Sequence, residues 1–71
     1  MNAKQWIAAY AERLGASAPT AEEWGAILDL AAEAAHGSER VAAPTACWVA
    51  ARSGRTLEEA LSVARAMSGD G

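Results

Sequence analysis

The chain has 71 residues with six basic and nine acidic side chains and a formal net charge of −3 at pH 7, so it makes one domain without the basic face that nucleic acid or an anionic membrane requires. Hydrophobic residues make up 52% of it, but 20 of these are alanine, which favours helix while giving each helix little area to bury. One cysteine excludes an internal disulfide and fits a reducing cytoplasm, and no apolar run approaches the ~18 residues of a membrane span.

Four helices are expected, in an all-α domain covering residues 1–71. Asn2 caps the first, with Gln5 three residues on in the capping-box position; Trp6, Ile7, Tyr10 and Leu14 follow helical spacing and Gly15 stops it. The opening "MNAKQWIAAYAERLG" carries Glu12 and Arg13 and does not read as a signal peptide. Thr20 with Glu23 starts the second helix, whose apolar face is Trp24, Ile27, Leu28, Ala31, Ala34 and Ala35, with Leu30 at its flank and Gly37 as a left-handed stop.

Residues 37–43 form the longest connection, and Pro44 is placed as the first residue of the third helix, where its missing N–H costs nothing. Cys47, Trp48 and Ala51 are expected on one apolar face of that helix, which Gly54 ends. Thr56 with Glu59 opens the fourth helix, which presents Leu57, Ala60, Leu61, Ala64 and Met67 before residues 68–71 fray into a tail. No segment alternates as a strand would. The expected architecture is a compact four-helix bundle or an orthogonal array.

Leaving Met1 aside, only 16 apolar side chains larger than alanine are available for a core. Such a chain gains burial by close helix approach or from a partner, either another protein or a second copy of itself. Three tryptophans are many for this length. Most belong in a core, and Trp6 and Trp48 are the candidates for an exposed one that marks an interface.

The stretch "EAAHGSERVAAPTACW" holds the residues with chemistry to offer. Glu33 and His36 share a helical face in a Glu-x-x-His spacing used by di-iron bundles, but those need two such motifs and this chain has one histidine. No metal or cofactor is expected. Cys47 and His36 form the one thiol–imidazole combination available, and Cys47 reads as a small buried hydrophobe. Arg40, Arg52 and Arg55 lie near loops, where an anion can be held or where they serve as surface charge. The reading preferred is a structural corner in which Glu33, His36 and Arg40 bond one another and fix the angle between two helices up to Pro44. The alternative is a small-ligand or anion site built from the same residues.

"EAAHGSERVAAPTACWVA" also resembles the EAAH…R(P)AAP pattern of a small uncharacterised bacterial domain, mainly actinobacterial. That domain occurs alone or fused to the C-terminal end of MobA-type molybdenum cofactor guanylyltransferases. The matching residues are Glu33, Ala34, Ala35, His36, Arg40, Ala42, Ala43 and Pro44, supported by Trp6 and by the stretch Ile27-Leu28-Asp29-Leu30-Ala31. Val41 departs from the proline of the pattern. The resemblance implies a cytoplasmic accessory module connected with molybdenum cofactor maturation, and it supplies no catalytic mechanism. A non-enzymatic helical module that contacts another protein is the resulting expectation.

Overall fold

Each helix begins and ends where its terminal backbone groups find partners. The computed structural model describes residues 1–70, and the side chains of 1–68. Helix α1 is Ala3–Leu14, α2 Ala21–Gly37, α3 Ala42–Arg52 and α4 Leu57–Asp70. The all-α expectation holds, and the helices pack against one another as a small bundle. The frayed tail expected over 68–71 is replaced by helix as far as Asp70, and Gly71 lies outside the described residues.

All three expected capping boxes form. The Gln5 N–H donates to Asn2 Oδ1 at 2.8 Å while the Asn2 N–H donates to Gln5 Oε1 at 2.9 Å. Thr20 and Glu23 exchange the same pair of bonds at 2.8 and 3.1 Å. Thr56 and Glu59 do so at 3.0 and 3.1 Å. Each box satisfies two N–H groups that a helix start leaves without partners. Helix α1 closes on Gly15 at φ +72°, with the Ala16 N–H on the Ala11 carbonyl at 2.8 Å and the Gly15 N–H on that of Glu12 at 3.1 Å. This is a Schellman ending, whose left-handed residue glycine adopts without strain.

Two other boundaries differ from expectation. Gly37 is the last residue of α2 and not its left-handed stop. Ser38 ends the helix instead, because both its N–H and its Oγ–H reach the Ala34 carbonyl, at 3.1 and 3.0 Å. A side chain competing for helix carbonyls closes a terminus without any positive φ. Helix α3 starts at Ala42, so Pro44 is its third residue and not its first. Pro44 is accommodated because every N–H of a first turn lacks an intrahelical partner. Two short turns lead in, from the Ala42 N–H to the Glu39 carbonyl and from Ala43 to Arg40.

Helix α2 is central and packs on both α3 and α4. It therefore buries a face wide enough for two neighbours, and that face is centred on Leu30, 4% exposed, while Leu28 is 58% exposed. The sequence pattern places these two leucines the other way round. Helix α3 turns Ala42, Ala43, Ala46, Cys47 and Ala50 inward, and leaves Trp48 and Ala51 outside. A seam of small residues lets α3 lie close on α2 and has no space for an indole. Met67, expected in the core, is exposed at the end of α4.

Helix α1 stands further off. Among the described residues, none of its Cα atoms comes within 8 Å of a Cα in another helix. The molecule measures 39 × 24 × 18 Å with a radius of gyration of 12.8 Å, against about 11 Å for a spherical domain of this length. The buried core among the described side chains is Ala11, Leu30 and Leu61. The accessible surface is 5553 Å², whereas a monomer of 7.3 kDa ordinarily exposes about 4,200 Å². About 1,400 Å² of surface, a third more than usual, is therefore left uncovered.

Candidate functional site

The corner between α2 and α3 holds Glu33, His36, Arg40 and Pro44. Glu33 is half-buried and the other three are exposed. Glu33 and His36 line a groove of about 630 Å³ at the ends of α2 and α4, with Leu30, Ala34, Ala46 and Met67 supplying its apolar part. Arg40 and Pro44 do not line it. The expected bonded trio is absent: among the described residues, Glu33, His36 and Arg40 make no ion pair or side-chain hydrogen bond with one another. The corner is held by backbone and by hydroxyls. Ser38 closes α2, the turn over Glu39–Ala43 opens α3, and Thr45 Oγ1 donates to the Val41 carbonyl at 3.1 Å. That turn separates Arg40 from the groove.

The separation shapes what the groove accepts. Its charged lining is the Glu33 carboxylate, with no arginine or lysine, so an anion entering it meets repulsion without a compensating cation. No group of three or more His, Cys, Asp or Glu side chains suited to a metal occurs among the described residues. Of the three arginines near loops two are engaged, and separately: the Arg52 guanidinium lies 4.7 Å from the centre of the Trp48 ring and Arg55 pairs with Glu59 at 3.9 Å, while Arg40 is exposed. Asp29 and Arg65, 3.6 Å apart, tie α2 to α4 at the surface.

Cys47 is half-buried, and its Sγ lies 4.0 Å from the Ile27 carbonyl across the α2–α3 seam. Burial pushes its thiol pKa up from the ordinary value, which favours the neutral thiol over the nucleophilic thiolate.

The other two candidates, Trp6 and Trp48, both lie on the surface, although most of the tryptophans are expected in a core and Trp48 on one apolar face with Cys47. Trp6 and Trp48 are 53% and 60% exposed, while Trp24 is half-buried. Trp48 stands with Val49 on the outer side of α3, its indole covered on one face by Arg52. Trp6 stacks on Tyr10, and Leu14 continues the row. Tyr10 and Leu14 are placed with Trp6 by helical spacing in the sequence, but that spacing alone does not distinguish a core face from an uncovered one. Their recurrence at i, i+4 and i+8 with Trp6 is the signal that marks them.

These features define a small all-α domain with Ala11, Leu30 and Leu61 buried and Trp6, Tyr10, Leu14, Trp48 and Val49 at least half exposed. The chain belongs to the family described as Domain of unknown function (DUF6457), whose family model matches residues 1–69. Searches of curated proteins and of solved structures found no match to it. Among the described residues no helix is long and apolar enough to cross a membrane.

Proposed function

We propose that the chain is a non-enzymatic helical module that acts by docking on another protein in the cytoplasm. The observation that carries this reading is the displacement of large apolar side chains from the core to the surface. Trp48, Val49, Trp6, Tyr10 and Leu14 are each at least half exposed. Trp48 is the anchor for the partner. An indole with one face screened by a guanidinium buries large area with little loss of rotamer freedom, and tryptophan and arginine dominate interface hot spots.

The partner to examine first is a molybdenum cofactor guanylyltransferase. Support for it comes from the resemblance of "EAAHGSERVAAP" to a domain found fused to such enzymes, an association rather than a mechanism. The test is capture from native cells with the wild-type chain and with Trp48→Ala, read by mass spectrometry. Retention of the guanylyltransferase by the wild type and its loss with Trp48→Ala supports the reading. Equal recovery with both chains, or recovery with neither, removes it.

A second reading rests on the 630 Å³ groove beside Glu33 and His36: a small ligand with an apolar body and a cationic group. Titration with alkylammonium compounds that leaves the NMR shifts of Glu33 and His36 unmoved rejects it.

A further inference from the structure

The groove at the ends of α2 and α4 joins two kinds of surface. Its apolar part is Leu30, which is buried, with Ala42, Ala46 and Ala64, which are half-buried. Its polar part consists of hydrogen-bond acceptors. The half-buried Glu33 carboxylate makes no ion pair or side-chain hydrogen bond among the described residues. Helix α2 ends here, with His36, Gly37 and Ser38 in the lining. Among the described residues no hydrogen bond reaches the carbonyls of Ala35, His36 and Gly37, since Ser38 uses only that of Ala34. Gly37 also brings α4 close. A Cβ built on it lies 3.5 Å from Ser68 Oγ, so a hydroxyl of α4 stands beside the end of α2.

Free carbonyls at a helix C-terminus carry the negative end of the helix dipole. Glu33 adds a full negative charge, and no arginine or lysine lines the groove to offset it. The occupant this electrostatics favours is a cation. Its kind follows from the side chains present. A quaternary ammonium is held over the faces of Trp, Tyr or Phe, and none of these lines the groove. A primary ammonium is compact and carries three N–H donors, for which the groove offers a carboxylate, carbonyls and a hydroxyl. Alanines beside Leu30 leave space for a hydrocarbon chain without branches. The volume of about 630 Å³ lies within the range of small-molecule sites, about 300–1,000 Å³.

We infer that the groove takes a small free amine: an unbranched alkyl chain ending in a primary ammonium. The ammonium is held by Glu33 and the end of α2, and the chain lies on Leu30, Ala46 and Ala64. This inference rests on the ligand reading of the groove and deepens it by naming the head group and the shape of the tail.

The test is a titration of the isotope-labelled full chain at neutral pH, followed by amide NMR shifts. The probes are hexylammonium, hexyltrimethylammonium, hexanol and an acetylated lysine methylamide. Hexylammonium is expected to move Glu33, His36, Gly37 and Ser38 with a dissociation constant of about 1–10 mM, as befits so small a ligand. Hexyltrimethylammonium and hexanol, which lack the charged N–H donors, bind at least about five-fold more weakly. Glu33→Gln weakens hexylammonium about ten-fold, the effect of losing a charged hydrogen-bond partner. Glu22→Gln, at the other end of α2, removes the same charge and leaves the affinity within about two-fold. Equal binding of hexyltrimethylammonium overturns the primary-amine inference and leaves the ligand reading standing. Tighter binding of the lysine derivative overturns the free amine in favour of a protein side chain. Binding indifferent to Glu33→Gln, equal binding of hexanol, or shifts unmoved by both ammonium compounds overturns the inference and the ligand reading together.

Discussion

Trp6 stacks on Tyr10 one turn along α1, with ring centroids 5.0 Å apart and planes inclined by 25°. Both rings are half open to water. An exposed aromatic pair of this geometry contributes about 0.5–1.5 kcal/mol beyond its area. A double-mutant cycle between Trp6→Ala and Tyr10→Ala, followed by thermal unfolding at low concentration, is expected to return a coupling in that range. Additivity within error means that the stack is not maintained in solution.

Leu30 and Leu28 are two residues apart on α2 and lie on opposite sides of the fold's boundary with water. Leu30→Ala is expected to cost about 2–4 kcal/mol and Leu28→Ala less than about 1 kcal/mol in urea denaturation of the monomer. Comparable losses at both positions mean that the inward face of α2 is centred elsewhere.

The capping residues show how much of this fold is legible in the sequence. Asn2, Thr20 and Thr56 are read correctly because a cap is a local event, settled by residues three apart. Gly15 and Gly54 are read correctly for the same reason, and both adopt positive φ. Gly37 and Pro44 are misread because Ser38 and the turn over Glu39–Ala43 offer backbone groups competing partners that a residue pattern does not rank. The outward turn of Trp48 and the exchange of Leu28 with Leu30 are invisible for a different reason. They depend on α2 serving two neighbours and on an alanine seam excluding an indole, which are properties of the packed set. At the candidate site, the residue pattern singles out Trp6 and Trp48 among the tryptophans without deciding that both lie outside, and the Glu33–His36–Arg40 trio fails because Arg40 sits in the turn over Glu39–Ala43, outside the groove lining.

Two glycines are expected to respond in opposite directions to alanine. Gly25 lies inside α2, and a Cβ built on it meets nothing within 4 Å. Gly25→Ala therefore raises stability by about 0.5–1 kcal/mol through reduced backbone entropy of the unfolded chain. Gly15 sits at φ +72°, where a side chain is strained, so Gly15→Ala lowers stability by about 1 kcal/mol or more. Thermal melts of the two variants check both signs.

Glu59 connects stability to pH. Its pKa is lowered chiefly by the Thr56 backbone N–H, then by the Thr56 hydroxyl, with a smaller contribution from Arg55. A carboxylate whose folded pKa lies below its unfolded value, near 4.3, adds stability that is present above that value and is lost as pH falls through the folded pKa. The advantage of the wild type over Glu59→Gln is thus expected at neutral pH and shrinks below about pH 4. An advantage that grows with acid contradicts the assignment.

The central claim is that apolar surface left outside the fold is covered in the working protein. Hydrogen–deuterium exchange compares the isolated chain, diluted below any self-association, with the chain in its captured complex. Amides of α3 around Trp48 are expected to gain protection in the complex while those of α2, already inside, change little. Exchange in α3 that is identical in the two states contradicts the account.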